Sequence, residues 1–398
     1  MEWLPKNTIY VTLHGSQAYG LANEFSDTDV KGICVPPPEV EYHLYHRFEQ
    51  SQSPKWLEEK LAHLKNPKNP KFESEIYSLR KFFLLAAEVN PNIIELLFTD
   101  PKDHFIKLPL MEKILERRMM FLSNKARYTF AGYACAQAKK IERHRKWIVL
   151  GEVKPPSREE FGLPPVQKGA VTEVFGYIKS KVEQWNLNQF ALEEMDRAEL
   201  KNTMWEVMSE VTDREISVAN WPDVYSEAVI HKMAKDYSLS DELVKYIYAE
   251  RKFAKAKQVY DSWGSWKKER NPARRELEEK SGYDTKHASH LVRLMRMGYE
   301  IITEGKVIVN RVGVDADELL AIKNGAWSFE KVMEFKDIME NKLDEEYARQ
   351  KKLVAMGEPT PIPREVDKVK LNALYHELYN EYWSNNAPPR LGRIRINI

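Results

Sequence analysis

The apolar positions of this chain change their period about a quarter of the way along it. In the first hundred residues the apolar runs are short and β-rich. Thr8 to Leu13, with Ile9, Tyr10, Val11 and Thr12, predicts a strand because β-branched and aromatic residues dominate it. His14-Gly15-Ser16 ends that run. Gln17 to Asn23 predicts a short helix with Ser16 as its N-cap. Asp29 to Val35 predicts a second strand, stopped by Pro36-Pro37-Pro38, which cannot continue a hydrogen-bonded ladder. Ser51 to Lys71 is polar and punctuated by Asn66-Pro67 and Asn69-Pro70, the mark of a helix-containing insertion that closes in a turn. Phe72 to Leu79 alternates Glu73, Glu75 and Tyr77 with Phe72, Ser74, Ile76 and Ser78, and predicts a third strand. Arg80 to Glu88 is then helical, Asn90-Pro91 breaks it, and Asn92 to Phe98 makes another short helix.

Beyond about Asp100 a helical period takes over and runs to Asn385. Leu371, Leu374, Leu378 and Tyr382 near the end are one example. Breaks fall at Lys154-Pro155-Pro156, Leu163-Pro164-Pro165, Asn271-Pro272, Ser281-Gly282 and Glu358 to Pro363. The pattern predicts an α+β protein: a small mixed β-sheet core with flanking helices over residues 1–100, followed by a larger, mainly α-helical region over residues 101–398.

Composition narrows the class without choosing a partner. A hydrophobic share of 43% with 30% charged residues describes an ordinary globular chain, not a disordered one. The net charge of +1 over 398 residues predicts no partner, so any basic surface must be local. Cys34 and Cys135 are the two cysteines. They lie far apart without ligand-like spacing, which excludes a disulfide framework and suits a reducing compartment. No segment approaches the ~20 apolar residues of a membrane span, and Met1 to Lys6 leads into a strand rather than an apolar signal region. The expectation is a cytoplasmic protein with no membrane partner.

The chemistry concentrates between His14 and Val30. A strand delivers Gly15-Ser16 to a helix start, where glycine lets the backbone approach a ligand closely. Free N–H groups at a helix start attract phosphate, and the Ser16 hydroxyl adds a hydrogen bond. Asp27 and Asp29 stand two apart at the head of the next strand. Alternate strand residues share a face, so both carboxylates aim at one point, as a hard Mg²⁺ ion requires. Two ions roughly 4 Å apart would clamp the attacking and leaving oxygens of an in-line displacement. A third carboxylate belongs on a neighbouring strand. Glu75 is the first choice, and Glu73 has the same parity.

This arrangement resembles the polymerase-β-type nucleotidyltransferase superfamily, whose signature is Gly-Ser, a spacer, Asp-x-Asp and a third acid on a later strand. A closer likeness is to the RNA-ligase-associated predicted nucleotidyltransferases. It rests on Gly15-Ser16-Gln17-Ala18-Tyr19-Gly20, Glu75 to Phe82, Asn90-Pro91-Asn92 with Glu95-Leu96-Leu97-Phe98, Gly282-Tyr283-Asp284-Thr285-Lys286-His287, and His290 to Arg293. The resemblance implies a nucleotidyltransferase core in residues 1–100. Gly15 and Ser16 would then hold the triphosphate of ATP or another NTP, and Asp27, Asp29 and Glu75 the metals: Mg²⁺, two ions, with Mn²⁺ as a substitute. An NMP would move to an acceptor hydroxyl with release of pyrophosphate. RNA is the expected acceptor. Protein nucleotidylation and small-molecule nucleotidylation are alternatives, and an RNA-binding protein that keeps the fold without catalysis is an alternative of another class.

Two further features stand outside that segment. Lys286, His290 and Arg293 follow four- and three-residue steps and share a helix face. Asp284 or Thr285 caps the helix, and Ala288, Leu291, Val292 and Met295 lie on the opposite face. The pattern predicts a cationic stripe turned away from the packing side, able to bind nucleotide. His287 and His290 have no further ligand cluster near them in sequence, so no structural zinc is expected. The stretch Arg251 to Arg275 interleaves Phe253, Tyr260, Trp263 and Trp266 with nine cations, a composition suited to RNA backbone and stacked bases. Lys139 to Lys146 is a second basic run. The tail from Arg390 to Ile398 reads equally as an edge strand or a basic arm.

Overall fold

The computed structural model describes residues 1–163, 241–269 and 272–386. The expected break at Leu163-Pro164-Pro165, the tail from Arg390, Arg270, and the side chains of Arg251 and Arg274 lie wholly or partly outside those residues. The chain forms two compact units: Met1–Val149 with Glu276–Ile398, and Leu150–Arg275.

The first unit is built on a five-stranded mixed sheet. Its strands are β1 (Thr8–His14), β2 (Thr28–Cys34), β3 (Gln50–Gln52), β4 (Phe72–Ser78) and β5 (His104–Lys107), in the order β3-β4-β2-β1-β5. β1 runs antiparallel to both β2 and β5, whereas β2 and β4 run parallel. The three central strands are those the hydrophobic pattern predicts. The two edge strands escape it: β3 overlaps the start of the segment that the pattern reads as an insertion from Ser51, and His104–Lys107 falls inside the region read as helical. Both are short, and neither has a buried residue. An edge strand is made by pairing with its neighbour and needs no hydrophobic alternation of its own.

Alternation along the central strands feeds two cores. One face presents Val11, Val30, Cys34 and Ile76, joined by Leu4 from the helical turn before β1, to Leu57 and Leu61 of the 55–64 helical segment. The other presents Tyr10, Ile33 and Tyr77 to the helices. Helix α1 (Gly15–Ala18) is a single turn, shorter than the Gln17-to-Asn23 helix expected. It is followed by α2 (Leu79–Ala87), capped by Ser78, whose Oγ accepts the Lys81 N–H, and by the 25-residue α3 (Ala126–Leu150).

In the other unit, α4 (Asp241–Glu269) packs on the turn at Glu159–Phe161. The Phe161 and Phe253 rings meet there at 5.8 Å, with the Arg158 guanidinium over Phe253. Lys252, Lys255, Lys257, Lys267 and Lys268 are exposed on α4, while Trp263 is buried under the Lys267 ammonium.

The chain then returns to the first unit with α5 (Thr285–Glu304), α6 (Ala316–Lys323), α7 (Phe329–Ala355) and α8 (Lys368–Asn385). Leu371, Leu374, Leu378 and Tyr382 are all buried, as their period predicts. Tyr375 of α8 meets Phe83 of α2 at 5.7 Å. Tyr379 and Trp383 both donate to the Pro36 carbonyl, 3.2 Å in each case, and so anchor the proline run that ends β2. The α5 helix is buried nearly all round, with Leu291, Val292, Leu294, Met295, Met297, Ile301 and Ile302 inside. Among the described residues no helix is long and apolar enough to cross a membrane.

Candidate active site

The turn after β1 is shaped by one steric demand. Gly15 has φ +65°, and a Cβ built on it would lie 2.2 Å from Oδ2 of Asp29. Both the left-handed backbone and the close approach of that carboxylate require glycine. The expected capping role of Ser16 is corrected: His14 occupies the N-cap position, and the helix is only four residues long. The Ser16 Oγ is instead buried with no hydrogen-bond partner. A buried hydroxyl without a partner is costly, and an oxygen-rich ligand entering here would satisfy it.

The acids come from β2 and its approach. Asp27 lies one residue before β2 and Asp29 inside it. Gln17 donates to the Thr28 hydroxyl at 3.2 Å, and Asn66 donates to the carbonyls of Glu24 and Ser26, each at 2.9 Å. The Asn66-Pro67 punctuation read from the sequence thus pins the loop that delivers Asp27. The parallel register sets Asp29 opposite Glu73 and Lys31 opposite Glu75. Burial and the charges of Asp27 and Glu73 push the Asp29 carboxyl up to about 6, with Lys286 and Lys31 opposing. Glu75 is engaged elsewhere: Gln50 donates to its Oε1 at 2.8 Å, the Tyr77 hydroxyl donates to its Oε2, and the Lys31 ammonium is 3.8 Å away. Glu73 pairs with Lys71 at 2.5 Å on an exposed rim.

Behind the turn lies a buried ionic cluster that sequence reading did not assemble. Glu95 is 1% exposed. Its Oε1 accepts from the Arg293 guanidinium at 2.6 Å, and its Oε2 accepts from the Tyr19 hydroxyl at 2.6 Å. His14 Nε2 stands 3.3 Å from the same Oε2, off the angle of a hydrogen bond. The Arg293 guanidinium also covers the Tyr19 ring at 3.6 Å. Burial alone would raise the Glu95 carboxyl, yet Arg293 and His14 hold it below the usual carboxylate range. Burial lowers His14 and lowers His290 further.

These contacts correct the expected outward stripe on α5. Lys286 is exposed, His290 half-buried and Arg293 fully buried. Helical spacing places three residues on one face but does not say what the face meets. Here it meets the turn after β1. Asp284 is the cap, accepting the His287 N–H at 3.1 Å. The helical region also holds the turn from outside: Arg311 donates its N–H to the Tyr19 carbonyl at 3.0 Å, and Lys323 its ammonium to the Leu21 carbonyl at 2.8 Å.

A cavity of about 560 Å³ joins these parts. Gly15, Ser16, Asp27, Asp29, Glu73, Glu75, Lys286, His290 and Arg293 all line it, so every site residue expected from the sequence borders one space. Lys31, Asn92, Ser289 and Lys323 line it as well and were not anticipated. Lys31 stood beside the acid pair in sequence, and its parity with Asp29 was the available signal.

Comparison with known proteins bears on the same region. Residues 4–149 match the RNA repair pathway DNA polymerase beta family. Through that span the chain is similar to polymerase-β-type nucleotidyltransferases associated with RNA repair, in keeping with the resemblance drawn from Gly15-Ser16 and Asp27-x-Asp29. The chain is also 24% identical, over 341 residues, to an uncharacterized 38.9 kDa protein of the nrdC-mobD intergenic region of Enterobacteria phage T4; the match covers 82% of this chain and 86% of that one. No solved structure matches.

Proposed function

We propose that this protein is a metal-dependent nucleotidyltransferase that moves an NMP from an NTP to an acceptor hydroxyl on RNA, releasing pyrophosphate. One observation carries the reading: Asp27, Asp29 and Glu73 line one cavity, with Asp27 and Glu73 close enough to raise the Asp29 carboxyl, beside a glycine turn whose serine hydroxyl has no partner. Mutually repelling acids at the mouth of a cavity fit a hard divalent cation, which favours oxygen ligands. Asp27, Asp29 and Glu73 would hold Mg²⁺, with Mn²⁺ as a substitute. Glu73 replaces Glu75 as the third ligand in this reading, because the register sets it opposite Asp29 while Glu75 is already bonded to Gln50 and Tyr77. Bound there, the ions would neutralise the charge that develops on the phosphate oxygens.

The chain's own groups supply position. The Gly15 backbone and the Ser16 hydroxyl receive the phosphates, and Lys286 brings a positive charge to the same wall. Glu95 and Arg293 fix Tyr19 and hence the turn. An acceptor hydroxyl attacks the α-phosphorus, and most of the rate comes from alignment and charge compensation. The RNA acceptor is supported by the description of the matching family and by the exposed lysines of α4. The cytoplasm, which supplies NTP and Mg²⁺, is the proposed location.

Incubation with each α-labelled NTP, Mg²⁺ or Mn²⁺, and RNA tests the proposal. Label should appear on RNA with the wild type and disappear with Asp27→Ala or Asp29→Ala. Label on protein or on a small molecule would move the acceptor. Full transfer by either variant would overturn the site.

A further inference from the structure

Three groups with metal-ligand chemistry meet outside the cavity. His144, near the end of α3, Asp284, the cap of α5, and His287, in the first turn of α5, bring one ligand atom each to within 4.8 Å of one another. His144 Nδ1 is 2.9 Å from Asp284 Oδ2, and His287 Nε2 is 3.6 Å from that same oxygen. Neither His287 nor Asp284 lines the cavity. The side chains are 14%, 6% and 26% exposed, so the cluster is recessed without being sealed.

We propose that His144, Asp284 and His287 form a binding site for a transition-metal ion, Zn²⁺ by the chemistry of its ligands, separate from the acidic site of the cavity. Bonds of about 2.0–2.1 Å to nitrogen and carboxylate oxygen imply tetrahedral ligand-to-ligand separations of about 3.4 Å. The two separations from Asp284 Oδ2 bracket that value. Two imidazoles and one carboxylate favour zinc and its neighbours over Mg²⁺, which prefers oxygen alone. Three protein ligands leave a fourth position for water.

The surroundings prepare the ligands. Asp284 Oδ1 accepts the His287 N–H, which leaves Oδ2 to face the two rings. The His144 ring stacks on Trp147 at 5.3 Å, fixing its plane. Fixed ring orientation and a hydrogen-bonded carboxylate are the usual support around a metal ligand.

The consequence is mechanical. An ion here ties α3 to the start of α5, one residue from Lys286 of the cavity wall. The sequence hid the site because its ligands lie 140 positions apart.

The test uses tag-free full-length protein, equilibrated with Zn²⁺ and dialysed against metal-free buffer. The wild type should retain one equivalent by elemental analysis and give visible d–d absorption when loaded with Co²⁺ instead. His144→Ala, His287→Ala and Asp284→Asn should each lose the bound metal and the Co²⁺ spectrum. The last of these keeps a capping side chain, so it separates ligand loss from helix fraying. Zn²⁺ should raise the wild-type thermal midpoint and leave those of the variants unmoved. A wild type that retains no more metal than the variants would overturn the site, as would variants with an unchanged Co²⁺ spectrum. None of these readouts depends on nucleotide transfer.

Discussion

Two carboxylates beside the Gly15-Ser16 turn are drawn out of water, Glu95 fully and Asp29 in part, and the protein treats them in opposite ways. Glu95 accepts from Arg293 and Tyr19, with His14 Nε2 close by at 3.3 Å. Its charge is compensated, and its carboxyl is held below the usual range. Asp29 is pushed up to about 6 by burial and by the neighbouring charges of Asp27 and Glu73, which outweigh Lys286 and Lys31. Burial acts on both in the same direction, so the difference lies in the partners. The Glu95 charge is thus matched inside the fold, and removing its partner would leave it buried and uncompensated. The acids around Asp29 are only partly offset by Lys286 and Lys31, and the proposed cation would supply the rest of that compensation.

The largest effect should come from breaking the Glu95 cluster. Arg293→Ala leaves Glu95 buried and unpaired, a situation that costs about 3–5 kcal/mol. Chemical denaturation should show that loss, and a cost below about 1 kcal/mol would mean that the pair is not structural. Asp29→Ala should behave in the opposite manner, losing about 10²–10³-fold or more in transfer while staying folded by circular dichroism. The third prediction sharpens the edge between the acids. Glu73→Gln should lower transfer by about 10²-fold and weaken Mg²⁺ dependence, whereas Glu75→Gln should cost less than about tenfold. The reverse ranking would return the third ligand to Glu75.

The smallest effect concerns stability and pH. The Asp29 carboxyl is raised in the native state, so the native protein binds a proton more tightly than the unfolded chain does. Without metal, stability should therefore fall as pH rises from about 4 to about 6, and the loss should be complete above that window. Asp29→Asn should raise the metal-free stability at pH 7 by about 1–2 kcal/mol, allowing for partial exposure. Mg²⁺ should stabilise the wild type and not the variant. Thermal melts at several pH values, with and without Mg²⁺, would check the sign.

Several elements were legible before any tertiary contact was known. The residue pattern predicts β1, β2 and β4 to within a residue or so, because β1 is a nearly continuous buried run and β2 and β4 each bury one face along their whole length. The edge strands β3 and β5 were not legible, since they depend on a neighbour and not on their own residues. Ser16 reads as a cap from residue type alone, and only the geometry of His14 and Gly15 shows that the hydroxyl is left without a partner.

The sequence by itself determined the local chemistry: a glycine turn with a serine, two aspartates of one parity, and an α5 helix carrying Lys286, His290 and Arg293 on one face. Tertiary structure decided everything that depends on long-range register and pairing. Parity puts Glu73 and Glu75 on the same face, but only the β2–β4 register sets Glu73 against Asp29. Helical spacing groups Arg293 with Lys286, but only packing buries it on Glu95, 198 positions away. His144 has no neighbour in sequence that marks it, and the fold brings it to Asp284. The physical reason is the same in each case. A side chain's direction follows from its own backbone period, whereas its charge state and partner follow from what the rest of the chain places opposite it.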